Sequence, residues 1–176
     1  NGDVVLSTIR TPRSTAHLIY HWFDATTSRC TTSEYRPSNE PGTHTYKVVV
    51  TDGCSRSEAT ITYNIYDAVV ASISAINGET TFDNGANICL NGNVVLTASN
   101  TTSNTAEVSY SWYEGVVELD VEGATAVCTT AEYTPTNVAQ GTHTYTVVVT
   151  DGCSKAKSTI TYNIYNSVVA SISATN

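Results

Sequence analysis

The sequence predicts an all-β protein made of two tandem antiparallel β-sandwiches, the first of which lacks its leading strand. The composition is the first reason: Val, Ile, Thr and Tyr are abundant, Met is absent, and the 176 residues include only 2 Phe, which favours pleated sheets. Short runs of alternating apolar and polar residues, separated by Gly, Asn, Pro and Asp, are typical of strands joined by turns. The third reason is that one long stretch of sequence occurs twice, as it does in tandem domains.

The repeat covers most of the chain. Residues 41–77 align without gaps with residues 140–176, and 28 of these 37 pairs are identical. Upstream, NGDVVL, YHWF and SRCTTSEYRP in the first copy match NGNVVL, YSWY and AVCTTAEYTP in the second. The second copy has extra residues at 114–124, where a surface loop can lengthen at little free-energy cost.

The two copies differ at their beginnings. The second copy is preceded by AVVASISAINGETTFDNGANICL at 68–90, whereas the first copy starts at Asn1. The chain then ends in SVVASISATN, a near duplicate of residues 68–77. We therefore expect a first domain at 1–67 without a leading strand, a second domain at 68–166, and a strand at 167–176 that serves another domain. On this interpretation the chain is a piece of something longer.

Each strand of the second copy is expected to present one apolar face. Residues 93–99 form the first strand after the leading one, and the run 127–135, ended by Pro135, is a shorter candidate. Asp151-Gly152 marks the turn between the two strongest strands. The expected inward residues are Val94, Leu96, Ala98, Val108, Tyr110, Trp112, Tyr145, Val147, Val149, Ile160, Tyr162 and Ile164. Thr144 and Thr146 are expected on the opposite, outer face.

A Val-x-Leu strand, a Tyr-x-Trp strand and the run G-T-x-T-Y-x-V-x-V-T-D-G-C follow one another in both copies. This order resembles the immunoglobulin-like and PKD-like repeats of giant bacterial cell-surface adhesins, especially the gliding-motility adhesins of the Bacteroidetes. The resemblance implies that Trp22 and Trp112 are the core tryptophans of strand C. It also implies that Tyr46 and Tyr145 lie near the tyrosine corner of strand F.

The five cysteines include no CxxC pair and no accompanying His cluster, so no zinc site is expected. Disulfides in an oxidising compartment, and hence export from the cell, are the preferred interpretation. If the sandwich is right, Cys30 pairs with Cys54 and Cys128 with Cys153, each closing a loop of about 25 residues for roughly 3 kcal/mol. Cys89, expected at the start of strand B, is either a free thiol or a bond to another subunit.

Several kinds of function are not expected. The net charge of −8 would repel a nucleic-acid backbone, and no apolar run approaches the roughly 20 residues of a membrane helix. No catalytic constellation and no cofactor motif is present, so the chain is not expected to be an enzyme or to bind a cofactor. His44 and His143 recur in both copies, which favours a structural role. Asp52 and Asp151 are interpreted as turn residues, with a calcium site as the alternative.

The leading functional hypothesis is a structural building block of an extracellular filament or adhesin stalk on the cell surface. Its partners would be copies of itself or adjacent repeats of the same polypeptide, linked head to tail by strand complementation. The donated strand would comprise Ser167, Val168, Val169, Ala170, Ser171, Ile172 and Ser173.

The alternative hypothesis is a module that binds a carbohydrate or protein ligand through the acidic loop at 114–124. Asn100 also begins a glycosylation sequon, which is expected in a loop.

Overall fold

The computed structural model describes residues 3–9, 17–90, 92–102, 105–120, 123–136, 139–166, 168 and 170–174. The chain divides into two compact units, Asn1–Tyr66 and Asp67–Asn176. The regular elements in the described ranges are all β-strands. No helix there is long and apolar enough to cross a bilayer.

The described residues of the first unit form six strands in two antiparallel sheets. One sheet pairs β1 with β4, and the other has the order β3-β2-β5-β6. The strands are β1 (Leu6–Ser7), β2 (Ile19–Asp24), β3 (Thr27–Cys30), β4 (Glu34–Tyr35), β5 (Gly42–Thr51) and β6 (Arg56–Ile65).

In the second unit, the part of the chain that the structure describes forms eight strands in two four-stranded sheets, with the orders β12-β10-β7-β8 and β11-β13-β14-β9. All pairings are antiparallel except that of β9 with β14, which is parallel. The strands are β7 (Val70–Asn77), β8 (Thr80–Phe82), β9 (Asn87–Cys89), β10 (Val94–Thr101), β11 (Ser109–Glu114), β12 (Glu132–Tyr133), β13 (Gly141–Thr150) and β14 (Lys155–Tyr165).

This strand order is that of an immunoglobulin-like sandwich. In the second unit, β7, β10 and β12 take the places of strands A, B and E, while β11, β13 and β14 take those of C, F and G. In the first unit, β1 and β4 correspond to B and E, and β2, β5 and β6 to C, F and G. Among the described residues, no strand of the first unit lies beside β1 where β7 lies beside β10. The described part of the first sandwich therefore shows no leading strand, which agrees with the prediction from the sequence.

The hairpin of β13 and β14 explains why the repeated run folds as it does. Alternation places Tyr145, Val147 and Val149 in the core. All ten residues of β13 pair with β14. In the connecting turn, Gly152 has φ +82°, which favours glycine. The Asp151 carboxylate accepts the backbone N–H groups of Cys153 (3.0 Å) and Ser154 (2.8 Å), an Asx turn.

Each core contains the same column of aromatic rings. In the second unit the column runs through Trp112, Tyr133, Tyr145, Tyr162 and His143, with centroid separations of 5.8, 5.5, 6.2 and 5.6 Å. The first unit repeats it with Trp22, Tyr35, Tyr46, Tyr63 and His44. Both tryptophans and the strand F tyrosines are buried. The two histidines each donate from Nε2 to a carbonyl at 2.7 Å, which is the structural role expected from their recurrence.

Three local expectations need correction. Thr146 is fully buried, not outward-facing, because the loop after β11 covers it and its hydroxyl donates to the Gly115 carbonyl at 2.7 Å. The run 127–135 supplies only β12 and one bridge between Cys128 and Trp112. Asn100 lies within β10, not in a loop, and its amide donates to the Tyr110 hydroxyl at 2.7 Å.

The structure contains no disulfide between Cys30 and Cys54 or between Cys128 and Cys153. Cys128 is bridged to Trp112, which lies opposite Val147 on β13, whereas Cys153 lies beyond the far end of that strand. Val147, which is level with Cys128, is about three residues, or roughly 10 Å, from the end of β13 that precedes Cys153. This separation exceeds the reach of a disulfide. Cys89 is not at the start of strand B but ends β9, where it is exposed.

Candidate functional site

The candidate site is the face of the first unit that has no leading strand, which we call the open groove. It is about 550 Å³ in volume. It is bordered by Thr8, Tyr20, Val48, Val50 and Ala59. These residues lie after β1 and on β2, β5 and β6, so both sheets of the sandwich contribute to the groove.

The same sequence is buried in one unit and exposed in the other. Residues 60–66 and 159–165 both read TITYNIY. Ile160 is 3% exposed in the second unit, whereas its counterpart Ile61 is 46% exposed in the first. Tyr162 is fully buried, whereas its counterpart Tyr63 is only half-buried. Because the residues are identical, the difference comes from what covers them.

In the second unit, β7 is the first part of that cover. It pairs with β10 at eight consecutive positions, from Val70 opposite Thr101 to Asn77 opposite Val94. Its inward residues join the core, and they follow one another at alternate positions. They are Val69, Ala71, Ile73 and Ala75. The Val69 N–H also donates to the Ser154 hydroxyl oxygen at 2.8 Å, which anchors the start of the strand beside the turn between β13 and β14.

The first unit retains the residues to which such a strand would bond. Ser55 is the counterpart of Ser154, and its N–H and hydroxyl donate to the Asp52 carboxylate at 2.7 and 3.0 Å. Ser154 makes the same two bonds to Asp151, at 2.8 and 3.2 Å. The Ser55 hydroxyl is therefore held where it can accept an incoming backbone N–H.

The two turn carboxylates are hydrogen-bond acceptors within their own turns. Hydrogen bonds from the Thr102 hydroxyl and then the Ser154 N–H lower the pKa of Asp151 to about 2. The Ser55 and Cys54 N–H groups lower the pKa of Asp52. In the described ranges no group of three or more His, Cys, Asp or Glu side chains is placed to hold a metal ion. The turn interpretation thus accounts for both aspartates.

The tail of the chain carries the sequence of the covering strand but pairs with nothing among the described residues. Residues 168–174 repeat residues 69–75 without a change. The described tail residues, Val168 and 170–174, lie outside any strand. Val168 and Ile172 are fully exposed, although their counterparts Val69 and Ile73 pack into the core. Ser167 and Val169, also expected in the donated strand, lie outside the described residues.

The acidic loop of the alternative hypothesis is held against the second unit. Glu118 is bonded to Lys157 at 2.7 Å, and Asp120 to Lys155 at 3.3 Å. Lys157 also donates to the Val117 carbonyl at 3.0 Å. Each of these two carboxylates therefore forms a surface ion pair with a lysine on β14.

No protein-family model matches the chain, and no curated protein matches its sequence. Solved structures with a related fold include three N-terminal domains of the bacteriophage RB49 Highly Immunogenic Outer Capsid protein, at 17% identity and a TM-score of 0.47, over 89% of this chain and 51% of that one. The N-terminal four Ig domains of Dscam1 isoform 6.9 match at 12% identity and a TM-score of 0.40, over 92% of this chain and 41% of that one.

The full ectodomain of mouse nectin-like molecule 4, Ig1–Ig3, matches at 16% identity and a TM-score of 0.39, over 96% of this chain and 66% of that one. The chain therefore spans 41% to 66% of the length of these three structures. At such low identities and TM-scores, the assignment of the fold rests on the strand order itself.

Sequence reasoning anticipated the missing strand but not the residues that its absence exposes. Ile61 and Tyr63 were not singled out, although a comparison of the identical runs at 60–66 and 159–165 would have identified them. Ser55 was also missed. Its role depends on a bond that only the folded second unit reveals.

Proposed function

We propose that the chain is a structural building block of an extracellular filament or adhesin stalk of the giant bacterial adhesin type. In this proposal the tail of a second copy of the chain occupies the open groove as its leading strand. The observation that carries it is that one sequence, VVASISA, covers the second unit and lies exposed at the end of the chain. Tyr20, Val48 and Val50 of the groove have identical counterparts, Tyr110, Val147 and Val149, which lie in or against the core of the second unit.

The register of the donated strand follows from the second unit. Leu96 lies opposite Ala75, and Thr97 lies opposite Ser74. By the repeat, Leu6 would lie opposite Ala174 and Ser7 opposite Ser173. Val168, Ala170 and Ile172 would then face the core, because their counterparts on β7 do.

The tail is unsuited to replacing the leading strand of its own unit. In the second unit β7 starts beside Ser154, while β14 extends for 11 residues before it ends at Tyr165. That strand is roughly 35 Å long, whereas the three residue steps from Tyr165 to Val168 span at most about 11 Å. A tail that leaves β14 must therefore enter a different unit, which supports head-to-tail order.

The expected gain is large enough to link subunits. Burying an Ile or Val side chain contributes about 1.5–3 kcal/mol, and the donated strand has two such inward residues, Val168 and Ile172. Backbone hydrogen bonds to the edge of β1 add to this, since an unpaired edge strand readily accepts another strand. Association costs several kcal/mol in lost freedom, so we expect reversible assembly of the isolated chain.

The test is the self-association of full-length chains, measured by sedimentation velocity over a range of concentrations and by negative-stain electron microscopy. The variant Ile172→Asp puts a charge on the inward face of the tail. The matched control, Ser171→Asp, puts it on the outward face, where the counterpart Ser72 is exposed.

We expect the wild-type chain and Ser171→Asp to form end-to-end assemblies, and Ile172→Asp to remain a single two-unit particle. Assembly of Ile172→Asp like wild type would show that the tail is not the link. A wild-type chain that stays monomeric at every concentration would contradict donation by a second copy.

A further inference from the structure

The cover of the second unit has a second part that the tail does not contain. After β7, the chain makes the short strand β8, turns at residues 83–86, and returns as β9 along the outer edge of β14. The Asn77 amide donates to the Cys89 carbonyl at 2.7 Å, which joins the end of β7 to the end of β9. Residues 78–90 therefore extend the cover that β7 begins, along the outer edge of β14.

This second part has its own hydrogen bonds to β14. The Thr161 N–H donates to Asn84 Oδ1 at 2.7 Å, and the Gly85 N–H donates to the Thr161 carbonyl at 2.6 Å. The Asn163 N–H donates to the Ala86 carbonyl at 2.9 Å. Three parallel register pairs follow, from Asn87 with Asn163 to Cys89 with Tyr165.

Two apolar side chains complete the contact. The Phe82 ring meets Tyr162 edge-on at 5.2 Å between centroids. Ile88 belongs to the buried core cluster, next to Ile164, which is also buried. Together with β7, which also contacts β14, these contacts explain why Tyr162 is fully buried.

The first unit presents the same edge without this cover. Residues 60–66 repeat the residues of β14 that bind the second part, and β6 is the last strand of its sheet among the described residues. Tyr63 and Ile65 are only half-buried there. Thr62 and Asn64 are the counterparts of Thr161 and Asn163, so the edge has the same backbone donors and acceptors.

We infer that the open groove continues along the edge of β6, and that its full occupant is a two-part segment. The first part is a strand of the β7 type, and the second is a segment of the chemistry of residues 78–90. That second part has an Asp-Asn-Gly turn followed by an Asn-Ile strand that lies parallel to Thr62–Tyr66. This inference rests on the proposed function and extends it: the tail of a second copy would supply the first part, and the second part would be a further segment with the chemistry of residues 78–90.

The test uses the full-length Ile172→Asp chain, so that its own tail does not compete. Two synthetic peptides are titrated into this chain by calorimetry. The short peptide has the sequence of residues 68–77, and the long peptide has that of residues 68–90 with Ser in place of Cys89. A third peptide, 68–90 with Ile88→Asp, is the matched control. Hydrogen exchange of residues 56–66 and 155–165 shows which unit is occupied.

We expect the long peptide to bind at least about tenfold more tightly than the short one, and to protect the Thr62 and Asn64 amides. Ile88→Asp should abolish that gain and return the affinity to that of the short peptide. Equal binding by the long and short peptides would overturn the two-part site while leaving strand donation intact. If neither peptide binds the first unit, the proposed function is contradicted as well.

Discussion

At the scale of single residues, the two units allow one substitution to be compared in two environments. Ile160→Ala should leave a cavity in a closed core and cost roughly 2–5 kcal/mol of unfolding free energy. Ile61→Ala removes the same atoms from a side chain that is 46% exposed. We expect it to cost less than about half as much in the isolated chain.

This comparison is made by denaturant unfolding of each single variant, with Trp22 and Trp112 as the fluorescence probes of the first and second units. Equal costs at the two positions would mean that the first core is as well covered as the second. We also expect the free-energy cost of Ile61→Ala to rise when the groove is occupied.

A second residue-scale prediction concerns Asp151. Its folded pKa of about 2 lies below the ordinary value of about 3.9, so its contribution to stability is present above pH 4. That contribution is lost as the pH falls from about 4 towards 2. Thr102→Ala removes the first cause of the shift and should raise the pKa of Asp151.

The measurement is an NMR titration of the Asp151 side-chain carboxyl. The control variant is Thr101→Ala, which changes the exposed residue next to Thr102. We expect a midpoint near 2 in wild type and in Thr101→Ala, and a clearly higher midpoint in Thr102→Ala. An unchanged midpoint in Thr102→Ala would show that the turn N–H groups alone lower the pKa.

At the scale of elements, alternation made several strands predictable from sequence. The apolar faces of β10, β13 and β14 contain the expected residues because their one-sided burial imposes a period of two. The parallel strand β9 carried no such signal, since three residues are too few to show a period. The prediction for Thr146 was wrong because the inserted loop folds back over this residue. The prediction for Cys128 was wrong because the expected third strand is reduced to one bridge and β12.

The candidate site was predictable in outline for a similar reason. Near identity between residues 68–77 and the tail indicated a displaced strand. The exposed face of β6 was not identified, because segments distant in sequence decide that Ile160 is buried and Ile61 is exposed. Local sequence is the same at both positions, so only tertiary contacts distinguish them.

The register of the donated strand is the prediction that belongs to this scale. Ser7 and Ser173 should be directly opposite, as Thr97 and Ser74 are, and Cα atoms of such partners lie within disulfide range. We expect Ser7→Cys with Ser173→Cys to form a ladder of covalent multimers on a non-reducing gel. The background has Ser at the five natural cysteine positions.

The control pair is Ser7→Cys with Ser171→Cys, which keeps both thiols on the outward face but displaces one by two residues. It should cross-link much less efficiently. A ladder of equal intensity from the displaced pair would contradict the proposed register, because it would indicate a strand that slides in the groove.

At the scale of the whole molecule, the chain combines a closed second sandwich, a first sandwich with an open groove, and an exposed tail that repeats the sequence of β7. The second unit has a full set of leading strands within the chain. Its stability should therefore be a property of the single chain. In the proposed function the first unit is completed by a segment from another copy, so its stability should follow mass action.

The measurement that tests this most directly is thermal unfolding of the full-length chain at protein concentrations spanning two orders of magnitude. Trp112→Phe isolates the signal of the first unit and Trp22→Phe that of the second. We predict that the midpoint of the first unit rises by several degrees with concentration, that the midpoint of the second does not change, and that Ile172→Asp removes the rise. A first-unit midpoint independent of concentration in the wild-type chain would contradict the account.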